Sequence, residues 1–322
     1  MSQAVESAEE LLELAKRSGN DDLLLESHHV SWGTYGFVGN IKSSLAHVKQ
    51  GLTLYRRQDH HKLAMVYGGH DPGSCAYHQA AVMLWLLGRF DQSREKLDQS
   101  FELTRSLNHR ATLVWNLTWS PIVYQMLGET DVVIALANEL MDLSAEGQSE
   151  DWTASAELML GWADIDSGQV TSGIARMEKA LTERSSMYTR CYYVGLLADG
   201  YRAAGKVDDA VRLLDQAIAD IHESSELWWE AEIHRLKGVA LVQNNDASAE
   251  SVFNEAIRIA RSQGAKALEL KAATDLARLW ITARRPEEAH RLLNPIYRDF
   301  NEGLGCRELI TARDLLGGIG VE

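Results

Sequence analysis

A small or short residue returns at nearly constant spacing along this chain of 322 residues. The positions are Ser44, Ser93, Val133, Gly173, Ala210, Ala249 and Ala289, separated by 49, 40, 40, 37, 39 and 40 residues. Each follows a corner in which a helix-like segment stops: GNI at 39–41, GRF at 88–90, GET at 128–130, GQV at 168–170 and GKV at 205–207. Two degenerate corners, NDA at 245–247 and RRP at 284–286, complete the series. A period of this length is the mark of a solenoid of helix–turn–helix units, in which each unit buries its apolar face only against its neighbours. The corner glycine supplies the positive φ that ends one helix. The small residue lets the next helix approach to about 8–10 Å.

Within the units the apolar spacing is helical. Val207, Ala210, Val211, Leu213, Leu214, Ala217 and Ile218 recur three and four apart, and no strand-like alternation competes. The fold class is therefore all-α. The pattern predicts a lone opening helix at 5–18 and seven pairs, at 21–37/40–56, 73–87/90–106, 110–127/130–146, 150–166/170–184, 187–204/207–221, 226–242/246–263 and 266–283/286–299. A capping helix at 306–316 precedes a loose tail. The whole, 1–322, reads as one unit, with an N-terminal helix in 1–20, pairs in 21–300 and a cap and tail in 301–322. Pro121 falls inside a predicted helix and should kink it, and Pro295 should end another early.

Charge narrows the partners. With 46 acidic and 32 basic residues the formal charge is −14, and no Lys/Arg block exists to neutralise phosphates, so nucleic acid is excluded as the main partner. No apolar run of 18 residues offers a membrane span, and the first residues read as an acidic amphipathic segment rather than a signal peptide. The three cysteines, Cys75, Cys191 and Cys306, are odd in number and far apart, which points to a cytoplasmic chain without a disulfide framework.

The spacing Gly161, Gly168, Gly173, Ala180, Leu181 resembles the tetratricopeptide pattern with lengthened helices. YGGHDPG at 67–73, GIARM at 173–177, WWEAEIHRLKG at 228–238 and AKALELKAATDLARLW at 265–280 narrow the likeness. They resemble the C-terminal tetratricopeptide region of large bacterial signalling ATPases, including adenylate cyclase–ATPase fusions and related transcription regulators. The likeness covers roughly 5–318. It implies a right-handed superhelical solenoid of about seven pairs, serving as a sensor or protein-interaction arm. The family's catalytic domains are absent here: there is no GxxxxGK[ST] phosphate loop and no cyclase half, so nucleotide chemistry does not carry over. The chain is either a free-standing relative or a fragment. Its opening helix resembles the second member of a pair whose first is missing.

All nine tryptophans fall in predicted first helices, at 32, 85, 115, 119, 152, 162, 228, 229 and 280. Large aromatics can simply fill the space between units. The resemblance also implies that first helices line a concave groove, at offsets −13, −10, −6 and −3 from each corner. Those offsets select Glu26, His29, Gly33 and Gly36, then Cys75, His78, Val82 and Trp85. Next come Trp115, Thr118, Ile122 and Gln125, then Ser155, Leu158, Trp162 and Ile165. Tyr192, Gly195, Asp199 and Arg202 follow. A one-residue slip is expected in the sixth pair, leaving Glu232, Arg235 and Val239. Trp85, Trp115, Trp162 and Tyr192 should then project inward beside polar groups, as a pocket for a peptide or small effector requires. Glu232 and Arg235 either bind a polar ligand or pair with each other. Asp164, with Asp166 and Asp199 nearby, needs a partner; Arg202 is the expected one, and otherwise the acids form a cation-recognising patch.

The first separation exceeds forty by nine residues, and the surplus lies in RRQDHHKLAMVYGGHDPG. Seven of the 11 histidines precede residue 80. Cys75 and His78, three apart, can present one helical face to a metal, with His70 and Asp71 within reach. The HDPG run also has a structural use, with Asp71 capping a helix that starts at Pro72.

Three functions follow. The first is a non-catalytic binding or regulatory module needing no cofactor, which holds a peptide or small-molecule effector in the groove and docks a signalling partner. The second is an enzyme or a transition-metal or haem protein using His29, His70, Cys75 and His78. The third is a scaffold using its convex face. Self-association into a homo-oligomer stays open.

Overall fold

Each of the seven corners places its first residue in the left-handed region: Gly39, Gly88, Gly128, Gly168 and Gly205 at φ between +75° and +88°, Asn245 at +55° and Arg284 at +60°. Each also closes the same two hydrogen bonds. At the second corner Gly88 N donates to Trp85 O and Arg89 N to Leu84 O, and at the last Arg284 N donates to Ile281 O and Arg285 N to Trp280 O. These bonds satisfy carbonyls that the ending helix orphans. The two degenerate corners are therefore full members of the series. Arg284 pays a backbone cost of about 1 kcal/mol that glycine would not. Its side chain is exposed, so Arg284→Gly is expected to raise the melting temperature by about 1–2 °C in a thermal scan. A fall in melting temperature would mean that the guanidinium makes a contact worth more than the strain.

The computed structural model describes residues 2–65, 68–147, 149–184 and 188–319. Among them the chain is all helix and loop, without a strand. The helices are α1 (Ser2–Ser18), α2 (Asp21–Phe37), α3 (Ile41–Leu54), α4 (Arg57–His60), α5 (Pro72–Leu86), α6 (Phe90–Leu107), α7 (Arg110–Met126), α8 (Thr130–Gly147) and α9 (Glu150–Asp166). They continue with α10 (Val170–Glu183), α11 (Arg190–Ala203), α12 (Val207–Ser224), α13 (Glu230–Gln243), α14 (Ala249–Gln263), α15 (Lys266–Thr282), α16 (Pro286–Arg298) and α17 (Arg307–Ile319). The surplus of the first interval is taken up by α4, the 3₁₀ turn His61–Leu63 and the approach to α5. Tyr67 of the YGGHDPG run lies outside the described residues.

Helices pack consecutively, and each first helix also touches the next first helix, α2 on α5, α5 on α7, and so on to α13 on α15. The seven small positions are buried. In the first, second and fourth pairs the small residue faces the residue twelve earlier on the partner helix. Ser44 Oγ donates to Trp32 O and Ser93 Oγ to Ala81 O, both at 2.7 Å. In the fourth pair even a methyl is excluded, since a Cβ on Gly173 would lie 2.5 Å from Gly161 O. Pro121 does not interrupt α7, nor Pro295 α16.

The array does not stay open. The segment after α16 returns to α6: Phe300 stacks on Phe90 at 6.0 Å and 4°, Gln92 Nε2 donates to Glu302 Oε2 at 2.7 Å, and Gly303 N donates to Asp91 Oδ2 at 2.9 Å. Helix α5 touches α15, and α2 touches the 3₁₀ turn Leu227–Trp229. Trp228 and Trp229 sit in that turn rather than inside a first α-helix.

Candidate functional site

The curl brings aromatics of the first helices and of the Leu227–Trp229 turn against each other across the hollow. Trp85 packs 6.1 Å from Trp229, Tyr192 lies 5.3 Å from Trp229 and 6.0 Å from Trp228, and Trp85 Nε1 donates to Met126 O at 3.0 Å. Trp85 and Tyr192 therefore face inward as expected, but both are 0% exposed and cannot line a pocket. The reason is apolar area: indoles on the inside of a tight curl gain more from one another than from water. Thr118 is not available either, because its hydroxyl donates to Val114 O of its own helix at 2.8 Å.

What remains of the hollow includes a cavity of about 490 Å³, within the range of small-molecule sites, and a cleft of about 50 Å³ among Gly33, Gly36, His78, Val82 and Ile122. Gln125, Trp162, Ile165, Asp199, Glu232 and Arg235 line the larger cavity, as the offsets anticipate, with Trp229, Lys271, Thr274 and Asp275. Gln125 Oε1 accepts from Tyr192 Oη at 2.7 Å. Glu232 and Arg235 sit at −13 and −10 from Asn245, so the sixth pair needs no slip. The same count from Arg284 gives Lys271 and Thr274, which belong to a seventh pair beyond the six whose offsets were applied.

The floor of the cavity is a buried ionic cluster. Arg235 Nε and Nη2 donate to the two Glu232 carboxylate oxygens at 2.8 Å, and Lys271 Nζ donates to Oε1 at 2.6 Å. Asp275 accepts from Arg235 and, at its other oxygen, from Arg278. Burial alone would raise the Glu232 pKa, but Arg235 and Lys271 outweigh it and hold the carboxyl down to about 2. The acid expected to pair with Arg202 does not do so. Arg176 reaches Asp164 at 3.2 Å, whereas Arg202 turns to Asp199 at 2.7 Å, three residues back on its own helix.

A second cluster lies where α2 meets the approach to α5. His29 Nδ1 bonds Glu26 Oε2 at 2.9 Å, and His29 Nε2 lies 3.2 Å from His70 Nε2. His70 Nδ1 bonds Gly68 O at 3.0 Å, and its ring stacks on Trp115 at 4.4 Å and 8°. Trp32 Nε1 donates to Cys75 Sγ at 3.4 Å. The donor atoms of His29, His70 and Cys75 all lie within 4.8 Å of one another. Burial alone would raise the Cys75 thiol, yet His29, followed by His70, brings it down to about 6; the same partnership, with Glu26, holds His29 up to about 10 against its own burial.

The other metal candidates go elsewhere. Asp71 Oδ1 caps α5 through Ser74 N at 3.0 Å, and both Asp71 oxygens accept from Tyr55 Oη at 3.0 Å. His78 is buried edge-on to Trp115 at 5.2 Å, outside the converging trio, and its Nε2 has no hydrogen-bond partner. Burial, the main cause, pushes it down to about 4. Other histidines of the insertion are structural: His60 is 0% exposed, accepts Arg56 N at Nδ1 (2.7 Å) and bonds Asp22 through Nε2 (3.0 Å).

A buried polar knot beneath this cluster had no sequence signal. Asn116 Nδ2 donates to Ser100 Oγ at 2.7 Å and Thr104 Oγ1 at 2.9 Å, while Asn116 Oδ1 accepts from Ser120 Oγ at 2.7 Å. Ser74 Oγ of α5 joins them, accepting from Asn116 Nδ2 at 3.2 Å, so isolated Ser, Thr and Asn residues become a network only when three helices bring them together.

No protein-family model matches the chain. It is similar to an uncharacterized protein, R02095, of Rhizobium meliloti (strain 1021), 24% identical over 282 residues. The match covers 86% of this chain but only 27% of that protein, so the chain spans about a quarter of the length of its relative. No helix of the described residues is long and apolar enough to cross a membrane.

Proposed function

We propose that this protein is a non-catalytic, cytoplasmic binding module of the tetratricopeptide kind, a right-handed solenoid of seven helix pairs. It takes a small zwitterionic effector in the cavity between α7, α9, α11, α13, α15 and α17 and reports its presence to a signalling partner. The observation that carries the reading is the lining of that cavity. Trp162, Trp229, Leu196 and Leu236 provide apolar wall, while Arg235 and Lys271 stand beside Glu232, Asp275 and Asp199. Such a lining suits a molecule with both charges and some apolar body better than a simple anion or cation. The match to part of a much longer protein fits an arm that works beside other domains.

The test is a thermal-shift and tryptophan-fluorescence screen of the protein against free amino acids and dipeptides. A true ligand at a hundred times its Kd adds about 2.7 kcal/mol of stability and perturbs emission from Trp162 or Trp229. Lys271→Met and Trp162→Ala should abolish the shift. If no compound in the panel moves either readout at millimolar concentration, the effector reading is wrong.

A further inference from the structure

The histidine–cysteine cluster is separate from the cavity, and three metal-ligating atoms converge in it within 4.8 Å of one another. Each imidazole has its Nδ1 held by an acceptor, His29 by the Glu26 carboxylate and His70 by the Gly68 carbonyl. With those acceptors each Nδ1 carries a proton, and a neutral ring then offers its Nε2 lone pair to an ion. The two Nε2 atoms point at each other from 3.2 Å. A proton on His29 bridges them when no ion is bound, and an ion that both rings coordinate would take that proton's place.

We propose that His29, His70 and Cys75 form a binding site for a zinc-class divalent transition metal. Three further observations support it. A tetrahedral ion with bonds of about 2.0–2.1 Å to each nitrogen sets the two nitrogens about 3.3 Å apart, and they already stand at 3.2 Å. The third donor is a thiolate ligand, and nitrogen with sulfur selects zinc or cobalt over magnesium or calcium. Beside His29, buried Glu26 keeps its second oxygen, Oε1, without a hydrogen-bond partner, while Oε2 orients the His29 ring as a carboxylate behind a metal-ligating histidine does. Tetrahedral coordination needs nitrogen and sulfur about 3.6 Å apart. The three donor atoms lie within 4.8 Å of one another, so no pair has to close by more than about 1 Å to reach that spacing.

Three protein donors leave a fourth position for water or a further ligand. Because the donors come from α2, the loop and α5, the ion ties the first helix pair to the second across the nine-residue insertion. Donors converging on one point suit an ion rather than a macrocycle, so the haem alternative is set aside.

The experiment is a cobalt(II) titration of the full chain, untagged and stripped with a chelator. One equivalent should bind and produce a thiolate-to-cobalt charge-transfer band in the near ultraviolet, and zinc should bleach it. Cys75→Ser should remove the band, and His70→Ala should remove tight binding. Glu26→Gln should weaken affinity by about 10–100-fold through the His29 ring. His47→Ala, which breaks the separate His28–His47 contact, should leave the titration unchanged. Far-ultraviolet circular dichroism checks each fold. If Cys75→Ser does not fold, the loop variant His70→Ala carries the same test. Absence of the charge-transfer band, its survival in Cys75→Ser, or unchanged affinity in His70→Ala would overturn the proposal.

Discussion

Glu232→Gln is expected to destabilise the protein by about 3–5 kcal/mol in a denaturant titration, far more than a typical substitution that preserves volume. The carboxylate is buried and accepts from both Arg235 and Lys271. Neutralising it leaves two cations in a site that has already excluded much of their water, with Asp275 as the remaining acid of the cluster. The double variant Glu232→Gln/Lys271→Met removes one orphaned cation and should recover part of the loss. If the single variant costs less than about 1 kcal/mol, the cluster is as weak as a surface ion pair and cannot position a ligand. The sign with pH follows from the depressed carboxyl, whose folded pKa of about 2 lies below the ordinary 4.5. Its contribution is complete above pH 4.5 and fades as the pH falls toward 2. Glu232→Gln should therefore flatten the stability–pH profile in that window.

Trp85→Ala is expected to cost about 3–5 kcal/mol and to change the shape of the unfolding curve. Trp85 is fully buried, bonds Met126 O of α7, meets Phe90 and Trp229 edge-on or tilted, and lies under the Lys271 ammonium at 5.9 Å. It thus joins the second pair to the sixth and seventh, which an open array would leave apart. Repeat arrays unfold as one unit only while neighbour interfaces outweigh the differences between units. Without this indole the first pairs should melt before the last, seen as a lower denaturant m-value or a second transition. Trp280→Ala, on the same kind of helix but only half-buried, should lower stability less and leave a single transition. A single, unbroadened transition in Trp85→Ala would show that the return contacts of Phe300 and Glu302 hold the closure by themselves.

Much of the local structure was legible in the sequence because it rests on short-range rules. Corner residues with positive φ, apolar positions three and four apart, and a small residue at each helix crossing act within one unit, so residue order alone located the helix pairs. The HDPG run encodes its own cap in the same way, since Asp71 needs only Ser74 and Pro72. The inward offsets were legible too, as Gln125, Trp162, Glu232 and Arg235 show. How far the array curls was not. Curl is the sum of small rotations over seven units, and no single residue states it. That sum decided that Trp85 met Trp229 and Lys271 and became core. Other pairings were decided by packing between neighbours: Arg176 rather than Arg202 reached Asp164 across one hairpin, α9 on α10. The three donors His29, His70 and Cys75 surround one point because side chains 41 and 46 residues apart in the chain meet only after α2 has packed on α5.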